Sequence, residues 1–203
     1  MSSIAILTPK GETTAAHIRQ TAAGLFWRRS YHGVSMDELA RAAEVNKATI
    51  YRYFPTKADL AEAVIRRAGD RAITCIFEPA FREDDTPVGR LDGIYGRFLA
   101  AHRSVYDEEG DMYGCPIAGL AVEVGTDMPQ IRTVASEIFA RVEAFYWAIA
   151  DAAIADGGGV GWNVETLART LVQLQHGALV ATRVEARPQP LREAADASKR
   201  LIS

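Results

Sequence analysis

The residues best suited to chemistry lie close together: Ser35, Lys47, Ala48, Thr49, Tyr51, Arg52, Tyr53 and Lys57. None of them forms a nucleophile–base pair. Their types suit contact with a nucleic acid instead. Lys47 and Arg52 can donate to guanine edges or phosphates, and Thr49 can offer a hydroxyl or, to thymine, a methyl group. Tyr51 and Tyr53 can donate to phosphate oxygens, Lys57 adds positive charge, and Ser35 opens a helix, where backbone N–H groups favour an anion.

These side chains need a scaffold, and the local signals supply one. Ser35-Met36-Asp37-Glu38 reads as a capping box, in which Ser35 caps a helix and Glu38 reaches back. That helix ends near Ala43, and Asn46 caps another that runs to about Tyr53. A longer helix precedes them, from about Thr13 to Tyr31, with Ile18, Ala22, Leu25 and Phe26 on one face and Gly33 as the stop. The short Glu44-Val45-Asn46 connection gives helix-turn-helix spacing, with the second short helix entering the major groove. Leu39, Ala40, Val45 and Ile50 are expected to glue the pair onto Leu25 and Phe26, with Phe54 a core aromatic.

The stretch from Val34 through Ala43-Glu44-Val45-Asn46-Lys47-Ala48-Thr49-Ile50-Tyr51-Arg52-Tyr53-Phe54-Pro55-Thr56-Lys57 to Leu60 resembles the DNA-binding domain of the tetracycline-repressor (TetR) family. Upstream, Ala22 to Phe26 and Gly33 fit the same pattern, so the resemblance covers about residues 13–65. It implies that Lys47, Ala48, Thr49 and Arg52 face bases while Ser35, Tyr51, Tyr53 and Lys57 hold phosphates. Glu44 stands where the family usually has Gly, at a cost of about 1 kcal/mol if the backbone there is left-handed. Asp37 stands where some relatives carry a base-contacting cation, and it is assigned to the helix dipole instead.

The charge distribution agrees. The 203-residue chain carries a net −3, but residues 1–71 hold +4 and the remainder −7. Phosphate contact needs local positive charge, not a basic whole chain. The rest also reads as helix, giving an all-α fold. The expected layout is a flexible lead-in (1–12), a helix-turn-helix domain (13–55), and a helical ligand-binding and dimerisation domain (56–203). Its linking helix (56–78), capped by Thr56 and Asp59, ends before Pro79 and forms the lever between the two parts, with Gly69 a flexible point. Beyond a charged loop (82–86), helices are expected from Pro87 to Asp107, Pro116 to Gly125, Asp127 to Asp156 and Asn163 to Arg187, with a last short one after Pro190.

The resemblance implies an effector pocket and a dimer face in this second part. Pocket candidates are Tyr95, Phe98, His102, Tyr106, Cys115, Glu123, Phe139, Tyr146, Trp147, Gln173 and His176, aromatic and polar groups of the kind that line apolar ligand pockets. The dimer is expected through the last two helices, about 163–203, where Leu167, Leu171, Leu174, Ala178 and Ala181 form an apolar stripe. Gly114-Cys115-Pro116 to Glu123 resembles a Gly-Cys-x-x-Gly-Asn-Leu-Ala-x-Glu segment in a subset of the family, some of whose members answer to reactive electrophiles. Here Ala118 and Gly119 replace the pattern's Gly and Asn. A thiol at a helix N-terminus is expected to have a lowered pKa.

The sequence shows no metal-ligand or cofactor spacing, no apolar run near the ~20 residues of a membrane span, and two distant cysteines that suit a reducing cytoplasm. The expected function is a transcriptional regulator that represses from a pseudo-palindromic operator and is released by a small-molecule effector. An effector-independent DNA-binding protein, or a helical enzyme, stands as the alternative.

Overall fold

The computed structural model describes residues 9–203. Among these, ten α-helices and one π-helical turn carry the fold: α1 (Pro9–Arg29), α2 (Met36–Ala42), α3 (Lys47–Tyr53), α4 (Lys57–Ala72), the π turn (Ile73–Phe77), α5 (Glu78–Glu83), α6 (Pro87–Glu109), α7 (Pro116–Val124), α8 (Pro129–Ala155), α9 (Val164–Glu185) and α10 (Gln189–Ile202). The expected lead-in lies partly outside the described residues, and from Pro9 onward the chain is already helical.

Local chemistry sets most boundaries. Ser35 and Glu38 form a reciprocal capping box on α2, and Thr56 and Asp59 form another on α4. Asn46 and Asn163 cap α3 and α9 by accepting from the amides of Thr49 and Thr166. Each such cap is worth about 1 kcal/mol. Glu44 has φ 52°, so the turn between α2 and α3 does use a left-handed non-glycine residue.

Four expectations are corrected. Gly33 is not the left-handed stop after α1; Ser30 is, with φ 73°. Gly33 is needed because a Cβ there would meet the Arg29 carbonyl oxygen at 2.2 Å. Pro79 does not end the linking helix. It sits in the first turn of α5, where its missing N–H is no loss, and the π turn immediately before it keeps the path helical. The long helix expected from Asp127 begins at Pro129, and Met128, not Asp127, holds its cap position, without a side-chain bond. Gly69 lies inside uninterrupted α4 and is buried: a Cβ there would come within 2.6 Å of Ile138 on α8, so this glycine marks a close helix crossing, not a flexible point.

Two apolar clusters hold the molecule. One joins Ile18, Phe26, Leu39, Ile50 and Leu60 of α1–α4 to Ile117 and Leu120 of α7 and to Ile131, Val134 and Ile138 of α8. The other joins Phe77, Leu91, Tyr95, Tyr146, Leu171 and Leu191, from the π turn, α6, α8, α9 and α10. The long helix α8 thus packs its N-terminal half with the helix-turn-helix and its C-terminal half with the distal bundle.

Candidate nucleic-acid interface

Ile50 is the anchor of α3: it is fully buried, and Phe54, just after the helix, is buried too. Burying that face leaves Lys47, Ala48, Tyr51 and Arg52 exposed, with Thr49 and Tyr53 half-exposed. This is the side that a recognition helix turns to the major groove. The Lys47 ammonium lies 3.0 Å from Asp37 of α2, which raises its pKa, so Asp37 holds it in reserve across the two helices. The Thr49 hydroxyl donates to Asn46 at 2.8 Å, and Arg52 stacks over Tyr53 and donates to its hydroxyl at 3.0 Å. The Ser35 hydroxyl is exposed and engaged with Glu38; hydrogen bonds from the Ser35 amide and hydroxyl, then from Arg29, bring the Glu38 carboxyl down to about 2.

Lys57 departs from expectation. Its ammonium is not a free surface cation. It donates to the carbonyls of Tyr31 and Val34, 4.2 Å from the centroid of the Tyr31 ring. Burial lowers its pKa, opposed by Glu123 and Glu38. The side chain therefore secures the turn between α1 and α2.

Of the pocket candidates, Cys115 and Glu123 line one cleft, and the others lie elsewhere. Tyr95 and Phe98 are buried in the distal core; the Tyr95 hydroxyl meets Ser198 at 3.0 Å, and burial pushes it up to about 12. The buried Tyr146 hydroxyl donates to Gln175 at 2.8 Å, so the inward-facing glutamine of α9 is Gln175, whereas Gln173 faces solvent. Trp147 is 49% exposed and also lies on the outside. A helical stripe shows which residues share a face, but not which face a neighbour covers. Phe139 and His176 meet edge to face at 4.4 Å, and burial lowers the pKa of His176. Tyr106 is half-exposed near the end of α6.

A cleft of about 480 Å³ lies between α1, α7 and α9, lined among others by Phe26, Trp27, Cys115, Glu123, Leu179 and Arg183. Several hydrogen bonds cross it or border it. The Trp27 indole donates to the Gly114 carbonyl at 2.8 Å, the same oxygen that lies 3.1 Å from a ring nitrogen of buried His102. The other His102 nitrogen is 2.8 Å from the Phe98 carbonyl. Arg183 donates to the Tyr113 carbonyl at 3.1 Å, and both Glu123 oxygens accept backbone amides of the turn after α1. Glu123 is thus committed to the protein's own backbone and is not a free polar group of a ligand site. Trp27, Gln175 and Arg183 carry no local signal in the sequence.

Cys115 caps α7, accepting from the Ala118 amide at 3.4 Å. Burial nevertheless pushes its thiol up, against the pull of the Ala118 and Ile117 amides, which reverses the lowering expected of a helix N-terminus.

A helix-turn-helix carried on an all-helical body defines a DNA-binding regulator. Residues 18–64 match the family described as bacterial regulatory proteins, tetR family, and residues 95–197 match the C-terminal domain described as transcriptional regulator LmrA/YxaF-like. The chain belongs to the TetR family of transcriptional regulators. It is similar to the transcriptional regulator AcuR of Cereibacter sphaeroides, with 26% identity over 202 residues, covering 90% of this chain and 84% of that one. It is similar also to the HTH-type transcriptional repressor DhaR of Mycobacterium sp. (strain GP1), with 25% identity over 181 residues, 86% of this chain and 85% of that one. The reduced form of Escherichia coli NemR shares the fold, with a TM-score of 0.81 at 21% identity over 94% of this chain and 97% of that one. Among the described residues, no helix is long and apolar enough to cross a membrane.

Proposed function

We propose that the protein is a repressor: two copies, paired through α9 and α10, bind a pseudo-palindromic operator and leave it when a small-molecule effector binds the helical body. The observation that carries this reading is α3 itself, capped by Asn46, anchored by Ile50 and turned outward with Lys47, Ala48, Tyr51 and Arg52. In this reading Lys47, Ala48, Thr49 and Arg52 face bases. Ser35, Tyr51 and Tyr53 hold phosphates, and Lys57 supports them from behind by fixing the turn. The name of DhaR, a repressor, supports the same sign of regulation.

One reading helix makes few base contacts, and two on a dyad meet half-sites about 34 Å apart. Val180 and Val184, 57% and 78% exposed on α9, supply apolar surface for pairing. The cytoplasm is the compartment where such a protein meets its DNA. Size-exclusion chromatography with footprinting tests the proposal. A dimer protecting a two-fold site is expected; a monomer binding one asymmetric site at full affinity overturns it. Screening metabolites for thermal stabilisation tests the effector, since a ligand at 100 times its Kd adds about 2.7 kcal/mol.

A further inference from the structure

The turn between α1 and α2, residues 30–34, leads into the helix-turn-helix; it is held in part by its own bonds, from the Val34 N–H to the Tyr31 carbonyl at 3.4 Å and from the Gly33 N–H to the Ser30 hydroxyl at 3.3 Å. Its first residue, Ser30, is a non-glycine at φ 73°, a conformation that L-residues adopt at a cost. Further ties come from distant chain. On the amide side, Glu123 near the end of α7 accepts from the Tyr31 N–H at 2.8 Å with one oxygen and from the His32 N–H at 2.9 Å with the other. On the carbonyl side, the Lys57 ammonium donates to the carbonyl oxygens of Tyr31 and Val34. The Tyr31 residue thus has a carboxylate at its N–H and an ammonium at its C=O, an arrangement of charges that matches the peptide dipoles. The carboxylate lies 92 positions along the chain from Tyr31, on a helix whose other end is the Gly114–Cys115 segment bonded to Trp27.

We propose that Glu123 is a positioning residue for DNA binding: through the Tyr31 and His32 amides it makes the orientation of the reading helices follow the position of α7. The inference rests on the reading of the protein as a dimeric DNA binder and adds the route of its regulation. The helix α7 is buried on one side through Ile117, Leu120 and Val124. A shift of α7 therefore carries Glu123 with it, and the turn either follows or loses both bonds. With the bonds lost, apolar packing of α1 and α4 still holds the reading head and Lys57 still holds the carbonyls of the turn, but the tie that makes its angle follow α7 is gone. Only a fraction of dimers then present the right separation, and apparent affinity falls by that fraction.

The decisive readout is half-site spacing, because a residue that served stability alone would leave the folded dimer's preferred spacing unchanged. Duplexes recovered by the wild-type protein from a randomised pool are resynthesised with the gap between half-sites lengthened or shortened by one base pair. Affinities are read by fluorescence anisotropy, and the exchange of the Tyr31 and His32 amides by hydrogen-exchange NMR. Glu123→Gln keeps shape but sets an NH2 group against one of the two amides. Glu123→Asp keeps charge but draws it back by one methylene. Either variant that melts as wild type serves the test. Expected is a loss of about tenfold on the parent spacing with a preference among spacings that flattens by a similar factor, and faster exchange at both amides. Retention of the wild-type spacing preference overturns the proposal. So does wild-type exchange at Tyr31 and His32 as fast as in the variants, a measurement that decides even if both variants unfold. If the wild-type protein recovers no duplex at all, the DNA-binding reading itself falls, and the exchange data still report whether the tie exists.

Discussion

Replacing Gly69 by alanine probes the joint between α4 and α8, and the sign of the effect depends on one neighbour. Glycine inside a helix is worse than alanine by about 1 kcal/mol, so the substitution should stabilise wherever there is room. Here there is none: the added methyl would meet Cδ1 and Cγ1 of Ile138 at 2.6 Å and Cγ2 at 2.8 Å. Overpacking of a buried site costs about 1–3 kcal/mol, so Gly69→Ala should destabilise the parent by about 1 kcal/mol net. For a chain of this size that lowers Tm by about 2–4 °C. Ile138→Ala removes the three clashing atoms, at its own cost of about 2–5 kcal/mol. In that background Gly69→Ala should stabilise by about 1 kcal/mol, giving a coupling near 2 kcal/mol. Urea unfolding of the four proteins at one protein concentration measures the cycle. Equal stabilisation by Gly69→Ala in both backgrounds would refute the close crossing.

Asn46→Ala should cost about 1 kcal/mol of stability by removing the cap of α3, and should weaken DNA binding further because Thr49 loses its partner; urea melts and anisotropy separate the two. Lys47→Ala should reduce the slope of log affinity against log salt by about 1, measured by titration at several salt concentrations. Glu38 has a depressed pKa, so the stability it lends is present above its unfolded value and is lost as pH falls toward about 2; a Glu38→Gln variant should flatten that part of an acid titration followed by circular dichroism. Cys115 should be alkylated by iodoacetamide at neutral pH more slowly than exposed Cys75, a comparison that peptide mass spectrometry settles.

The reading head was legible because its signals are local. Ser35 with Glu38, Asn46, and Thr56 with Asp59 each cap within three residues, and Ile50 and Leu39 carry the apolar side of their helices. A left-handed backbone at Glu44 was raised by the resemblance, which has Gly at that position, and the turn adopts it. What escaped the sequence depends on distance along the chain or on burial. Trp27 meets Gly114 across 87 positions and Arg183 meets Tyr113 across 70, and no pattern announces either bond. Pro79 misled because its place in a helix depends on the π turn before it. Trp147 and Gln173 lie at ordinary helical spacing, and only the packing of α8 against α9 decides that they face outward. Cys115 shows the same lesson in electrostatics: the helix end was visible, but the enclosure that overrides it was not.

The apolar cluster shared by α1–α4, α7 and the first half of α8 has a consequence for engineering and for recombination between relatives. A graft cut after residue 55 would separate α1 from the α4 and α7 faces it packs on, and so divide the cluster that also holds Leu39, Ile50 and Ile131. Transplanting this specificity onto a related body therefore calls for carrying the matching faces of α7 and α8 along with the head. A chimera that respects that boundary should fold and keep its operator, whereas one joined at the turn before α4 should express poorly.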